Sequence, residues 1–263
     1  MKSRIKYIVW PIIYLVLIIS VCISFVMVFR SYYFRSIFVS GSSMSPTLNG
    51  VGNEVDFGLI DDHKNAINKV KRFQIITTYY PFSDSKDYVG GYDKEKENVI
   101  DEQEASYKIK RVYGLPGDSI KFVINREEAQ AALDAEGHYS EQQQYHAQRA
   151  IEFYVKTPKD EDYVKQEIKF KRKINVLKFD QYDNFTYDLG DDEYWVMGDN
   201  YSASSDCFTK KLPIYYDNIV GVLISIEGTC KIESSISPDS TVDDGTKVSF
   251  KCTHRKHHFP VFY

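Results

Sequence analysis

The sequence predicts a mainly β protein: an antiparallel, barrel-like body behind an N-terminal transmembrane helix, with a helical insertion partway along. Three observations lead there. Residues 7–29 form an apolar run without a charged side chain. Short stretches rich in Val, Ile, Tyr and Phe then recur between Gly, Pro, Asp or Ser punctuation, as antiparallel strands do. Residues 126–153 differ from both, holding six alanines with many Glu and Gln and no proline, a composition that favours helix.

The apolar run comes first. As a helix rising about 1.5 Å per residue it reaches about 34 Å, enough for a hydrocarbon core of about 30 Å. Pro11 falls near its start, where proline costs a helix least. The competing reading is a cleaved secretory signal. Such signals have an apolar core of about 7–15 residues and end at an A-x-A-like site, and neither feature is found here. Lys2, Arg4, Lys6 and the α-amino group precede the run, while Arg30 and Arg35 follow it. The positive-inside rule therefore favours, by a narrow margin, a cytoplasmic segment 1–6 and an exported body.

Residues 30–35 make a short polar and aromatic collar at the membrane interface. Strand-like runs follow at 36–39, 71–80, 107–112, 119–124, 167–179, 193–197 and 219–226, together with 247–251 near the end. Residues 83–105 are polar, contain Gly90-Gly91 and read as an exposed loop. The insertion at 126–153 is expected to face solvent, with Gly137 interrupting it. The body is expected to span 30–226, leaving 227–263 as a C-terminal extension of unknown role.

With a formal net charge of -4 over 263 residues, composition offers no electrostatic case for nucleic acid. Of four cysteines, Cys22 lies in the apolar run and Cys207 in the body. Cys230 and Cys252 are either bridged or two thiols, and both readings stay open. His254, His257 and His258 crowd the tail but lack the ordered spacing of a metal site. No metal and no cofactor is expected.

Three stretches carry chemistry. Gly41-Ser42-Ser43-Met44-Ser45-Pro46-Thr47-Leu48 follows the first strand-like run. Alone it is a commonplace turn, and a serine is a poor nucleophile without a base. Tyr107-Lys108-Ile109-Lys110-Arg111-Val112-Tyr113-Gly114-Leu115-Pro116-Gly117-Asp118 places Lys108 and Lys110 on one strand face. Most strand lysines are solvated, but an apolar setting can lower a lysine into the range of a general base. Trp195-Val196-Met197-Gly198-Asp199-Asn200, continuing to Ser204 and Asp206, closes an apolar strand with a generic turn.

In this order the stretches resemble the bacterial type I signal peptidases. These have an N-terminal anchor, then Ser-Met-x-Pro-Thr, Lys-Arg-x-x-Gly-x-Pro-Gly-Asp, and Gly-Asp-Asn followed by Ser-x-Asp. The form is Gram-positive-like, with one anchor and a divergent third motif. The resemblance covers residues 7–226 apart from the insertion. It implies a membrane-bound serine endopeptidase that removes signal peptides from exported preproteins through an acyl-enzyme. Residue by residue, it implies Ser43 as nucleophile, Lys110 as general base and Ser204 as the hydroxyl that orients the lysine. Asp199 and Arg111 would be a bracing pair and Asp206 a second supporting acid; where the family can have a second oxyanion donor this chain has Gly41, so a backbone amide or the Ser42 hydroxyl would have to serve beside the Ser43 amide. Ile37, Val39, Met44 and Ile109 would form the apolar wall that takes small side chains before the cut; Leu48 is a further candidate, but ordinary core packing is the alternative for all five and the favoured one for Leu48. The implied setting is the bacterial cell membrane, single-pass, with the catalytic body on the extracytoplasmic face. There it would contact membrane lipid and act as a monomer beside the export machinery.

Departures cluster after Asp206. Cys207 and Phe208 stand where the family usually has Ser and Arg, Tyr201 where Arg is common, and Lys210-Lys211 where a Gly is expected. Three other classes compete with this reading. Self-cleaving repressor-type proteases carry a DNA-binding module where this chain has its apolar run. Endoplasmic-reticulum signal peptidases have His at the Lys110 position. A membrane-anchored binding protein derived from a peptidase would keep the scaffold and lose the chemistry.

Overall fold

The computed structural model of the chain describes residues 2–52, 54–79, 107–127, 131, 151–169, 183–235 and 247–254. Helix α1, Lys2–Tyr33, begins earlier than the apolar run, so Pro11 lies inside it. The segment Val9–Val28 buries none of its surface against the body. A helix apolar all round and uncovered by protein fits a membrane anchor.

The body is mainly β and antiparallel, as expected. In chain order, the strands of the main sheet are β1 (Arg35–Phe38), β2 (Glu54–Asp61), β3 (Ile75–Tyr79) and β4 (Tyr107–Gly114). A smaller sheet uses β5 (Ser119–Ile124), β6 (Ile151–Lys156), β7 (Val164–Gln166) and β8 (Phe185–Asp188). The chain then returns to the main sheet with β9 (Glu193–Met197), β10 (Ile214–Tyr215), β11 (Ile219–Ser235) and β12 (Lys247–His254). The main sheet runs β1-β2-β11-β3-β4-β9-β10, with β12 also on β11, and the smaller one runs β7-β6-β5-β8. Two four-residue helices, α2 (Lys64–Ile67) and α3 (Cys207–Lys210), sit in the connections.

β11 is 17 residues long and its ladders slip register at several points against β2, β3 and β12. Such bulges bend a strand and increase its twist, and the main sheet curls into a half-barrel around β11. Gly58 in β2 permits one close approach: a Cβ there would lie 2.4 Å from the Ser225 carbonyl oxygen.

Two apolar clusters divide the interior. The larger joins the two sheets through Tyr113, Phe122, Phe153, Trp195 and Phe208. The smaller, with Val39, Met44, Leu48, Ile60, Ile75, Leu223 and Ile226, lies under β1, and Ile37 and Ile109 pack against it.

Several expectations shift. The strand expected over 71–80 begins at Ile75, because Phe73 adopts a left-handed φ of 68° that breaks extension. Of the run 167–179, residues 167–169 are not strand and the rest lies outside the described residues, as does the loop 83–105. The helical insertion cannot reach 153: residues 151–153 open β6, where Phe153 pairs with Phe122. Residues 126, 127 and 131 are helical, and the remainder of the insertion lies outside the described residues. The expected boundary at 226 falls inside β11, which continues pairing with β2 through Cys230↔Val55 and Lys231↔Glu54. Cys230 is disulfide-bonded, whereas Cys22 and Cys207 are free. Strand pairing carries the backbone at Cys252 alongside Cys230.

Candidate active site

Ser43 sits in the loop leaving β1. Gly41 turns the chain with a φ of 88°, and its amide donates to the Gly50 carbonyl at 2.8 Å. Met44 and Leu48, both nearly inaccessible, plug the loop into the smaller core. Ser43 is thereby held at the lip of the half-barrel, facing β4.

Lys110 lies midway along β4, opposite Ile76 of β3. Lys108 on the same strand is exposed, but Lys110 is only 2% exposed. Its Nζ donates to Ser43 Oγ at 2.9 Å. Burial lowers the amine from 10.5 to about 8, outweighing the opposing attraction of Asp206, and the like charge of Lys108 adds to the lowering. A lysine with that property can be neutral under mildly alkaline conditions and accept a proton.

Arg111, next along the strand, points the other way and grips Asp199. Nε donates to Oδ1 at 2.9 Å and Nη2 to Oδ2 at 2.7 Å, with both side chains almost fully buried. Nη1 donates to the Phe73 carbonyl at 2.8 Å. Thr47 Oγ1 adds a short hydrogen bond to Asp199 Oδ2. The bidentate pair thus ties β4, the turn after β9 and the Ser43 loop together. The glycine turn ending β4 is braced in turn by Asp118, which accepts from the Leu115 amide at 2.6 Å and from Arg72 Nη2 at 3.0 Å.

The Gly198-Asp199-Asn200 turn forms the back of the loop. The Asn200 amide donates to the Ser43 carbonyl at 2.9 Å, and its Nδ2 to the Ser42 carbonyl at 3.0 Å. A Cβ on Gly198 would fall 2.4 Å from both the Ser43 carbonyl oxygen and Ser204 Oγ, so only glycine allows this approach. Thr47, Gly198 and Asn200 were not singled out from sequence. Each lies inside a quoted motif, which was their only signal.

Among the described residues Asp206 has no arginine partner, and backbone amides take its place. It caps α3: Oδ1 accepts from the amides of Phe208 and Thr209 at 3.1 and 3.2 Å, and Oδ2 from the Gly198 amide at 3.0 Å. Burial pushes its carboxyl above the ordinary range against these donors and the Lys110 charge. Ser204 Oγ lies near enough to Asp206 to favour its charge, yet it makes no hydrogen bond of good geometry, to Lys110 or otherwise. The expected hydroxyl–lysine contact is therefore not formed.

The divergent residues turn out to be packing groups. Phe208 stacks edge-on against Phe122 and Phe185, with centroids at 5.2 and 4.9 Å. The Cys207 thiol is fully buried and accepts from the Val196 amide at 3.3 Å, and burial raises it far above its normal range. Tyr201 donates to the Tyr113 hydroxyl at 2.9 Å. Lys211 adopts the left-handed φ of 59° that ends α3, and lays its ammonium 3.8 Å from the Phe208 ring centre.

A groove of about 430 Å³ opens beside Ser43 between β1 and the first half of β4. Ile37, Val39, Met44 and Ile109 line it, as do Thr77, Arg35 and Lys108. Leu48 does not, and lies in the core beneath. β9 pairs with β4 only from Arg111 onward, so among the described residues the edge of Tyr107–Lys110 that faces away from β3 has no strand partner. The outer edge of β1 has none either. The groove can therefore receive an extended chain as an added strand. The Ser43 amide donates to no backbone acceptor among the described residues. Nor do three His, Cys, Asp or Glu side chains converge there to hold a metal.

The sequence model of one family, described as signal peptidase, peptidase S26, matches residues 12–226. No curated protein matches the chain.

Proposed function

The chain belongs to the signal peptidase family, peptidase S26, and from that premise we propose that it cleaves signal peptides with Ser43 as nucleophile and Lys110 as general base. The family is one of serine endopeptidases, hydrolases whose substrates are preproteins bearing signal peptides. The observation that supports this assignment of roles is the 2.9 Å contact between Ser43 Oγ and an almost inaccessible Lys110 Nζ.

An extended segment of the preprotein lies in the groove, its small side chains against Ile37, Met44 and Ile109. Neutral Lys110 takes the Ser43 proton as Oγ attacks the scissile carbonyl, and the lysine then passes that proton to the departing amine. Water, deprotonated by the Lys110 side chain now neutral again, clears the acyl-enzyme. The Ser43 amide donates to the tetrahedral oxygen, with the Ser42 hydroxyl as second donor. Arg111, Asp199 and Asn200 keep the serine loop at its distance from Lys110. Asp206 and Ser204 supply the polar surroundings of the amine. Helix α1 anchors the body to the membrane in which signal peptides are themselves embedded. The β body that carries the site runs on through β11 to Ser235.

The test uses the full chain in detergent with a preprotein substrate. Ser43→Ala and Lys110→Met should each abolish cleavage while leaving the fold intact by circular dichroism. Robust cleavage by either variant removes the assigned roles.

A further inference from the structure

The loop that carries Ser43 runs from β1 to β2 through a narrow neck. Gly50 closes on Gly41 so tightly that a Cβ there would lie 2.6 Å from the Gly41 carbonyl oxygen. Asp56 of β2 grips both sides of that neck. Its carbonyl accepts from the Val39 amide at 2.8 Å on the way in, and its amide donates to the Asn49 carbonyl at 2.7 Å on the way out. Any residue with that backbone makes those two bonds. The carboxylate adds two of its own: Oδ2 accepts from the Asn49 amide at 2.7 Å, and Oδ1 from the Thr229 hydroxyl at 2.8 Å. Thr229 stands directly opposite Asp56 in the ladder between β2 and β11. It lies beyond residue 226, where the matched family segment stops. The next residue, Cys230, is fully buried and disulfide-bonded. One carboxylate therefore joins an anchored part of β11 to the stem of the Ser43 loop.

We propose that Asp56 is a positioning residue for the nucleophile, through which Thr229, on the continuation of β11 past residue 226, holds the Ser43 loop in place against Lys110. The inference rests on the reading of Ser43 as nucleophile. The tip of the loop is already held, by Asn200 on the Ser42 and Ser43 carbonyls and by Asp199 on Thr47. Its stem has no such cover, for Asn49 is exposed, and the Asp56 carboxylate is what closes it. A hydrogen bond to a charged acceptor is about twice as strong as a neutral one. Opening the neck lets the loop tilt about its tip, and a shift near 1 Å at a reacting group costs up to about a hundredfold in rate. Neither Asp56 nor Thr229 lines the groove, so their loss acts on turnover and leaves substrate binding nearly untouched. The start of the C-terminal extension thereby acquires a task in the reaction.

The experiment measures steady-state cleavage of a preprotein by the full chain in detergent, at a temperature well below the melting point of every variant. Asp56→Ala should lower kcat about tenfold with KM changed by less than about twofold, and Thr229→Val should lower kcat about fivefold. Asparagine can keep both side-chain bonds, since Oδ1 accepts from the Asn49 amide while Nδ2 donates to the Thr229 hydroxyl. Asp56→Asn and Thr229→Ser should therefore stay within about twofold of wild type. The double variant of Asp56→Ala with Thr229→Val should be no slower than Asp56→Ala alone, because both cut one connection. Unchanged kcat in Asp56→Ala, a loss confined to KM, or Asp56→Asn as slow as Asp56→Ala overturns the proposal. Should wild type cleave no preprotein, the signal peptidase reading fails by itself. Hydrogen exchange over residues 39–50 then tests the clamp without activity: it should be faster in Asp56→Ala and Thr229→Val than in wild type or Asp56→Asn. Equal exchange in all four also overturns the role of Asp56.

Discussion

Replacing Lys110 by methionine should make the protein more stable at neutral pH even as it destroys activity. The free amine titrates at 10.5, and burial lowers this to about 8 in the fold. The unfolded chain therefore holds the proton more tightly, and unfolding takes one up between pH 8 and 10.5. Stability rises with pH across that window as the native penalty fades. At about 1.36 kcal/mol per unit, the penalty is about 3 kcal/mol at pH 7 and about 1 kcal/mol at pH 10. Methionine fills most of the volume without a charge but loses the bond to Ser43 Oγ, worth about 1 kcal/mol. The net advantage of Lys110→Met should be about 2 kcal/mol at pH 7 and should vanish near pH 10. Urea unfolding of the detergent-solubilised full chain, read by fluorescence of the buried Trp195, measures both values. A gap that stays constant between pH 7 and pH 10, or a variant less stable than wild type at pH 7, would refute the reasoning.

Cleavage should share that titration: kcat/KM should climb with pH and level off above about 8, where Lys110 is neutral, and a flat profile from pH 6 to 9 would exclude Lys110 as base. Asp199→Ala strands the Arg111 guanidinium in the core and should cost about 3–5 kcal/mol of unfolding free energy, measured by denaturant titration. Gly198→Ala pushes a methyl against the Ser43 carbonyl and Ser204 Oγ. It should lower kcat about a hundredfold while changing KM little, as a displacement near 1 Å does; steady-state kinetics decide.

Residues near a motif were the most legible. Ser43, Lys110, Arg111, Asp199 and Asp206 could be named from sequence, and the fold brings each of them to one place. What sequence could not convey was the reach between segments. Asn200 reads as a turn residue, and only folding reveals that its two donors hold carbonyls more than 150 positions upstream. The residues after Asp206 give no sign of what replaces the family's arginine. The carboxylate instead takes the amides of α3, a four-residue helix too short to leave a periodic signal. β2 escaped notice because Gly58 and several acids dilute its pattern, and that glycine is there for the close pass of β11.

A single residue, Phe34, separates the end of α1 at Tyr33 from β1 at Arg35, and β1 is one bank of the groove. With α1 as the anchor, the groove is held at a nearly fixed height above the lipid and cannot wander far from it. The search for a substrate leaving the same bilayer is then a search in a plane, and a tether this short keeps the local concentration of partners high without any added affinity. Weak, fleeting contact with each chain would be enough for an enzyme so placed, which would suit the groove in its proposed role of accepting many sequences and releasing them all.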